Sequence, residues 1–211
     1  MKSKFTKSAA WLAVLAVSAG AHANLIVNGD FENQPNFGIN GDGSYTRLDP
    51  GQMPGWTIAS GHSVTIHKNP GAYPTISGAY SVNTDGEGQN GHNADFYQDF
   101  ATSAGVSYTL DYNWLGWMAS GAVLDVRIEV ASSGAIVVQD LQNWDNLGVH
   151  HRQLSFVGDG TDYRLRILEN PESGFNDNSY IVDDFSVEAV PEPATLAIAG
   201  LAAAALLRKR K

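Results

Sequence analysis

Cysteine is absent from all 211 residues. That excludes disulfide staples, thiol nucleophiles and thiolate metal sites. A folded domain here rests on its apolar core, or on a hard cation held by oxygen. Basic residues are scarce outside the two ends. Of 13 Lys and Arg, seven are terminal (Lys2, Lys4, Lys7, Arg208, Lys209, Arg210 and Lys211), against only Glu192 of the 22 acids. Residues 24–189 therefore carry 6 basic and 21 acidic side chains, a net charge of −15. A surface of that sign, without a basic stripe, excludes nucleic acid and leaves cations or neutral polymers such as glycans as partners.

Familiar catalytic patterns are missing too. His62, His67, His92, His150 and His151 show no His-Glu-x-x-His or similar spacing. The adjacent His150 and His151 would face opposite sides of a strand and could not chelate together. No Gly-x-Ser-x-Gly elbow exists, and the acidic loop Gly86–Gly91 lacks the Lys-Ser/Thr of a phosphate loop. Acids are abundant, but nothing pairs two of them as a glycosidase requires. The sequence points away from an enzyme. Finally, no apolar run reaches the roughly 20 residues of a membrane-spanning helix.

What is present at the ends is address information. Lys2, Lys4 and Lys7 precede an apolar run from Ala9 to Ala19, and Ala21-His22-Ala23 fits the small-x-small cleavage rule. Residues 1–23 read as a secretory signal peptide cut before Asn24. At the other end, residues 190–211 join Pro191-Glu192-Pro193, an uncharged segment Ala194–Leu207 and the cluster Arg208-Lys209-Arg210-Lys211. Proline ends the fold, Ala and Leu favour a short apolar helix that suits transient insertion in the membrane before processing, and the cations resist crossing it.

Between the ends, residues 24–189 read as one all-β domain. Short β-prone runs alternate with Gly, Asn, Asp, Ser and Thr, and no amphipathic helix pattern is present. The expected strands are Leu25–Phe31, Gly55–Ala59, Ser63–His67, Ala79–Asn83, Ala94–Ala101, Ser107–Trp114, Val123–Ala131, Ala135–Leu141, Arg152–Val157, Tyr163–Glu169 and Tyr180–Glu188. Period-two alternation is clean in three of them. Leu124, Val126, Ile128 and Val130 oppose Asp125, Arg127 and Glu129. Tyr108, Leu110, Tyr112 and Trp114 share a face. Tyr163, Leu165 and Ile167 oppose Arg164 and Arg166. This predicts an antiparallel sandwich with long loops at Asn33–Pro54, Asp85–Asn93 and Asn170–Asn178.

Two sites are candidates. Ile181, Asp183, Phe185 and Val187 share parity, so Asp183 is expected to point to the apolar face and Asp184 outward. A buried carboxylate needs a partner or a metal. With Asp30 and Glu32 at the end of the first strand, Asp183 would complete an oxygen cage for structural calcium. The alternative is that Asp30 caps a turn and Asp183 bonds backbone. The second site rests on tryptophan. Trp56 suits the core, and Trp114 frames a bend with Trp117. Trp117 falls off the strand at a bend over Asn113–Ala119, and Trp144 sits in a polar loop with Asn143 and Asp145. An indole among amides and carboxylates suits sugar binding, with the ring on the pyranose and the polar groups on its hydroxyls. The alternative for Trp144 is a ring folded over the sandwich edge.

Two resemblances sharpen this reading. Val190-Pro-Glu-Pro193, the apolar segment and the basic end resemble the PEP-CTERM sorting signal. That implies recognition and processing by an exosortase, export to the envelope, surface or extracellular matrix of a Gram-negative bacterium, and association with exopolysaccharide and biofilm. Asn24–Glu32 (NLIVNGDFE), Pro54–Gly61 (PGWTIASG), Phe96–Phe100 (FYQDF) and Ser179–Glu188 (SYIVDDFSVE) together resemble a galactose-binding-domain-like jelly-roll β-sandwich, as in carbohydrate-binding modules. That resemblance implies a structural calcium at residues matching Glu32 and Asp183. The expectation is an exported module with carbohydrate as ligand. A structural or adhesive module that contacts proteins is the rival, and a glycan-active enzyme comes third.

Overall fold

The computed structural model describes residues 23–38, 43–86, 92–118, 121–171 and 178–191. The expected signal peptide, except for Ala23, the apolar segment Ala194–Leu207 and the basic end lie outside them. So does most of two expected loops, at residues 87–91 and 172–177. Among the described residues no helix is long and apolar enough to cross a membrane.

The described residues form thirteen strands: β1 Tyr45–Leu48, β2 Thr57–Ile58, β3 Val64–Lys68, β4 Tyr80–Asn83, β5 Asp85–Gly86, β6 His92–Asn93, β7 Asp95–Ala101, β8 Ser107–Met118, β9 Ala122–Val130, β10 Ile136–Asn143, β11 His150–Val157, β12 Asp162–Pro171 and β13 Asn178–Ala189. Six build one sheet in the order β1-β3-β4-β13-β8-β11, five build another in the order β10-β9-β12-β7-β2, and β5 pairs β6. The pairings are antiparallel. This is the expected β-sandwich, and the three clean alternations hold. Leu110, Tyr112 and Trp114 of β8 face Leu124, Val126 and Ile128 of β9 and Leu165 and Ile167 of β12 across one core.

The first expected strand is corrected. Leu25–Phe31 is irregular, because Asn28 and Phe31 take left-handed φ of 54° and 52°. It still runs beside β13, through Leu25 N–H to Val187 O at 2.8 Å and Phe185 N–H to Gly29 O at 2.9 Å. Gly29 is required there, since a Cβ would lie 2.0 Å from Phe185 O. The Asn24 side chain adds bonds to Phe185 O and from the Ile26 and Val187 amides. Phe31 then enters the core beside Trp56, Phe96 and Phe185 at ring separations of 5.5, 6.4 and 6.0 Å.

One polar clamp closes the sandwich where β10 and β11 end their sheets. Tyr112 Oη donates to Asp140 at 2.9 Å, and Arg152 donates to the same carboxylate at 2.8 and 3.0 Å. Burial pushes the Asp140 carboxyl up, but the Arg152 and Tyr112 hydrogen bonds outweigh it and hold it below the usual range.

Candidate functional site

The β13 strand decides where Asp183 points. Its pairing with β8 shifts between Asp183 and Ser186, and Asp184 there has a φ of 57°. This bulge resets the alternation. Tyr180 and Val182 face the core before it, and Phe185 and Val187 face the core after it. Asp183 and Ile181 therefore lie on the outer side of their sheet, contrary to the expected shared parity. Asp183 is nonetheless fully buried, and hydrogen bonds from residues 76–77 draw the 69–79 loop onto this side. Ser81 Oγ donates to it at 2.7 Å, the Ser77 amide at 3.3 Å and the Asp184 amide at 2.8 Å. Burial pushes its carboxyl up to about 7, and the neighbouring Asp184 charge adds to this.

Asp30, Glu32 and Asp183 do not form the expected cage. Glu32 accepts the Ala79 and Tyr80 amides at 2.8 and 3.1 Å. Asp30 lines a cleft of about 310 Å³ with Asn24, Asn28 and Asp184, and Asp183 is not part of that lining. Among the described residues no three carboxylate or imidazole side chains are grouped to hold a metal ion. Glu32 Oε1 and both Asp183 oxygens already accept protein hydrogen bonds and, among the described residues, no third acid is grouped with them, so these three residues do not together form the expected calcium cage. We expect equal melting temperatures with calcium and with a chelator. A calcium-dependent rise would show that this seam rearranges around the ion.

The four carbohydrate candidates are split between two faces. In place of the expected bend over Asn113–Ala119, β8 runs as strand to Met118, whose φ is 66°, and Ala119 lies outside the described residues. Trp114 and Gly116 face inward, while Asn113, Leu115 and Trp117 face outward. Trp144 packs on the inner side against Gly116, where a Cβ would lie 2.9 Å from its ring and 2.1 Å from Asp145 O. It joins the edge of the core, the bland alternative. Asp145 is engaged by His150 at 2.8 Å and by the Leu147 amide at 3.0 Å, and His150 stacks on Trp114 at 4.4 Å. Asn143 is exposed at the end of β10.

Trp117 keeps different company. It shares the outer face of β8 with Asn113 and Asp111, and β11 adds His151 and Gln153 opposite them. Gln153 donates to Asp111 at 2.9 Å, His151 Nε2 lies 3.2 Å from Asp111, and Asn113 donates to Asp184 at 2.9 Å. The result is a half-buried indole on the same open face as a row of amide, carboxylate and imidazole groups. Sequence reasoning missed Asp111, Asn113, His151 and Gln153. The alternation of Tyr108, Leu110, Tyr112 and Trp114 already sets the first two on the opposite face of β8. The opposite facing of His150 and His151 is as expected.

A second carboxyl is perturbed. Glu169 on β12 is buried, accepts from Thr84 Oγ1, and burial pushes it up to about 8 from 4.5. Between those values the folded state binds more protons than the unfolded state. Stability from this group is full below about pH 4.5, falls as pH rises, and is lost above about pH 8. The slope is at most about 1.4 kcal/mol per pH unit. Urea midpoints at pH 5 and pH 8 should differ in the wild type, and Glu169→Gln should reduce that difference.

Against this geometry, the comparisons place the chain. A protein-family model described as "Protein of unknown function (DUF642)" matches residues 24–188. The chain belongs to the DUF642 family. The PEP-CTERM protein-sorting motif matches residues 189–211, which include Pro191, Glu192, Pro193 and the terminal Arg/Lys cluster. This DUF642 protein is therefore an exported one, with a cell-envelope or surface destination and a tail of the kind processed by exosortase. No curated protein matches it. Among solved structures, the DUF642 domain has the fold of TmCBM61, solved with beta-1,4-galactotriose, at a TM-score of 0.51 and 15% identity over 80% of this chain and 99% of that one. It is similarly close to a Family 16 Carbohydrate Binding Module-2, with a TM-score of 0.51 and 19% identity over 78% and 99% of the two chains. An arabinose-bound MgGH51 α-L-arabinofuranosidase matches at a TM-score of 0.54 and 12% identity over 82% of this chain but 27% of the enzyme. These likenesses share the galactose-binding-like β-sandwich.

Proposed function

We propose that this protein is a non-catalytic, surface-delivered glycan-binding module of a Gram-negative bacterium that associates with exopolysaccharide in a biofilm matrix. The observation that carries the binding site is the outer face of β8 and β11, where Trp117 lies with Asn113, Asp111, Gln153 and His151. An indole supplies an apolar plane for one pyranose, and the polar row, whose near end Asn113 is roughly 13 Å along β8, supplies donors and acceptors for the hydroxyls of sugars further along the same glycan chain. The row is pre-ordered by its own hydrogen bonds, which lowers the ordering cost of binding. The net charge of −15 across residues 24–189 favours a neutral glycan over an acidic one.

A non-catalytic role accords with the placement of the two raised carboxyls. Asp183 is enclosed beneath the 69–79 loop, and Glu169 is buried on β12 against Thr84. Neither lines the open face that carries Trp117. Retention of the purified protein on a panel of neutral polysaccharides tests the reading. Retention on at least one is the expected result, and no retention across the panel overturns it.

A further inference from the structure

We infer that the glycan taken by this protein is branched, with its main chain along the β8–β11 face and a single neutral side sugar in the cleft beyond β13. The inference rests on the glycan-binding reading above and narrows its ligand class. The cleft of about 310 Å³ is lined in part by Asn28, Gly29, Asp30, Asp184, Phe185 and Ser186. Two of these residues adjoin the polar row. Ser186 is the register partner of Asp111, and Asp184 accepts from Asn113 at 2.9 Å. Ser186 lies between Phe185 and Val187, which face the core, so it faces outward with Asp111. Neighbouring strands are about 4.8 Å apart, so the cleft begins one strand away from the row.

Sheet order separates a branched ligand from a linear one. The strands run β13-β8-β11, so His151 and Gln153 on β11 and the cleft at β13 lie on opposite sides of β8. A linear chain that follows the row from Trp117 keeps to β8 and β11 and bypasses the cleft. A substituent on one of its sugars, directed across β13, enters it. Size and polarity fit one neutral sugar. The volume is at the lower end of the roughly 300–1,000 Å³ of ligand pockets. The Asp30 and Asp184 carboxylates accept from hydroxyls and repel a uronate or sulfate. Asp30 is exposed and accepts the Glu32 amide through Oδ1 at 3.4 Å. The walls are set before binding. Phe185 N–H donates to Gly29 O at 2.9 Å, and the Asn28 side chain donates to Pro54 O at 3.0 Å and accepts the Asn33 amide at 2.9 Å. A pre-formed pocket loses little ordering entropy on binding.

The test adds matched pairs to the panel of neutral polysaccharides. Galactomannan and arabinoxylan are each offered to the purified protein in native form and after enzymatic removal of their side sugars. In at least one pair the native form should hold the wild type at least tenfold more tightly. Asp30→Ala should abolish that difference by weakening retention of the native form alone. Asp30→Asn keeps an acceptor oxygen and should preserve most of it. Both variants should melt at the wild-type temperature, since Asp30 is exposed. The inference is overturned, with the Trp117 face left standing, by equal retention or none of the two forms in both pairs, by a preference that survives Asp30→Ala, or by a preference that a chelator removes, which would assign the cleft to a cation. No retention across the whole panel, or retention indifferent to Trp117→Ala, overturns the face and the branch with it.

Discussion

Replacing Trp56 with alanine is expected to cost about 3–5 kcal/mol of folding stability. Trp56 is only 4% exposed. Its ring lies 5.5 Å from Phe31, 5.3 Å from Phe96 and 5.8 Å from Phe185. Those partners come from the irregular N-terminal segment, from β7 and from β13, so a single side chain joins both sheets to the start of the domain. Its Nε1 also donates to Asn28 O at 3.0 Å, which helps hold the left-handed turn at that residue. Alanine would remove the aromatic contacts and leave a cavity that three fixed backbones cannot close. For a domain of this size the melting temperature should fall by on the order of 10 °C. Trp56→Phe keeps the ring contacts and loses the hydrogen bond, so it should cost about 1–2 kcal/mol. Equal losses for the two variants would mean that the hydrogen bond, and not the ring packing, dominates.

The second large effect is expected at Asp183. Asp183→Ala removes the acceptor for the Ser81 hydroxyl and for the Ser77 and Asp184 amides, all in a region shielded from water. Each buried donor left without a partner costs about 1–3 kcal/mol, and we expect a total near 3 kcal/mol by urea denaturation. Asp183→Asn is the informative control. With the carboxyl pushed up to about 7, the native group is mainly neutral at pH 6, so an amide of the same shape loses little charge there. It retains one acceptor oxygen, and the Ser81 hydroxyl can turn to accept from the new NH₂. Asparagine should therefore cost about 1 kcal/mol at pH 6. A large loss with asparagine equal to that with alanine would show that the ionised carboxylate is what the site requires.

Asp183 also shows which parts of the structure the sequence carried. Alternation set the facing of β8, β9 and β12, because a regular strand has no freedom to depart from period two. It misplaced Asp183 because one left-handed residue, Asp184, resets the period, and although Asp is enriched in that conformation it adopts it too rarely for a local pattern to mark the position. Leu25–Phe31 read as a strand for a related reason. Its residues are β-prone, and the left-handed turns at Asn28 and Phe31 are fixed by tertiary bonds to β13 and Trp56. The β1 strand was hidden inside an expected loop because four residues are too few to show a period. At the candidate site, Trp117, expected off the strand at a bend, is half-buried within β8, and Trp144 is not separable by sequence from an exposed platform. The difference lies in Gly116, whose missing side chain lets Trp144 lie flat against β8. The polar row across β8 and β11 depends on register between strands 40 residues apart, and no local pattern encodes that.

The glycan-binding face is tested most directly by comparing retention of the wild type, Trp117→Ala and Trp144→Ala on whichever neutral polysaccharide holds the wild type best. Trp117 lies on the outer face with the polar row, and its loss should weaken retention about tenfold or more, equivalent to about 1.4 kcal/mol. Trp144 packs at the core edge behind Gly116. Its loss should lower the melting temperature while leaving the retention of the folded fraction unchanged. Retention that survives Trp117→Ala, or that is lost only with Trp144→Ala, would contradict the assignment of the outer face of β8 and β11 as the binding surface.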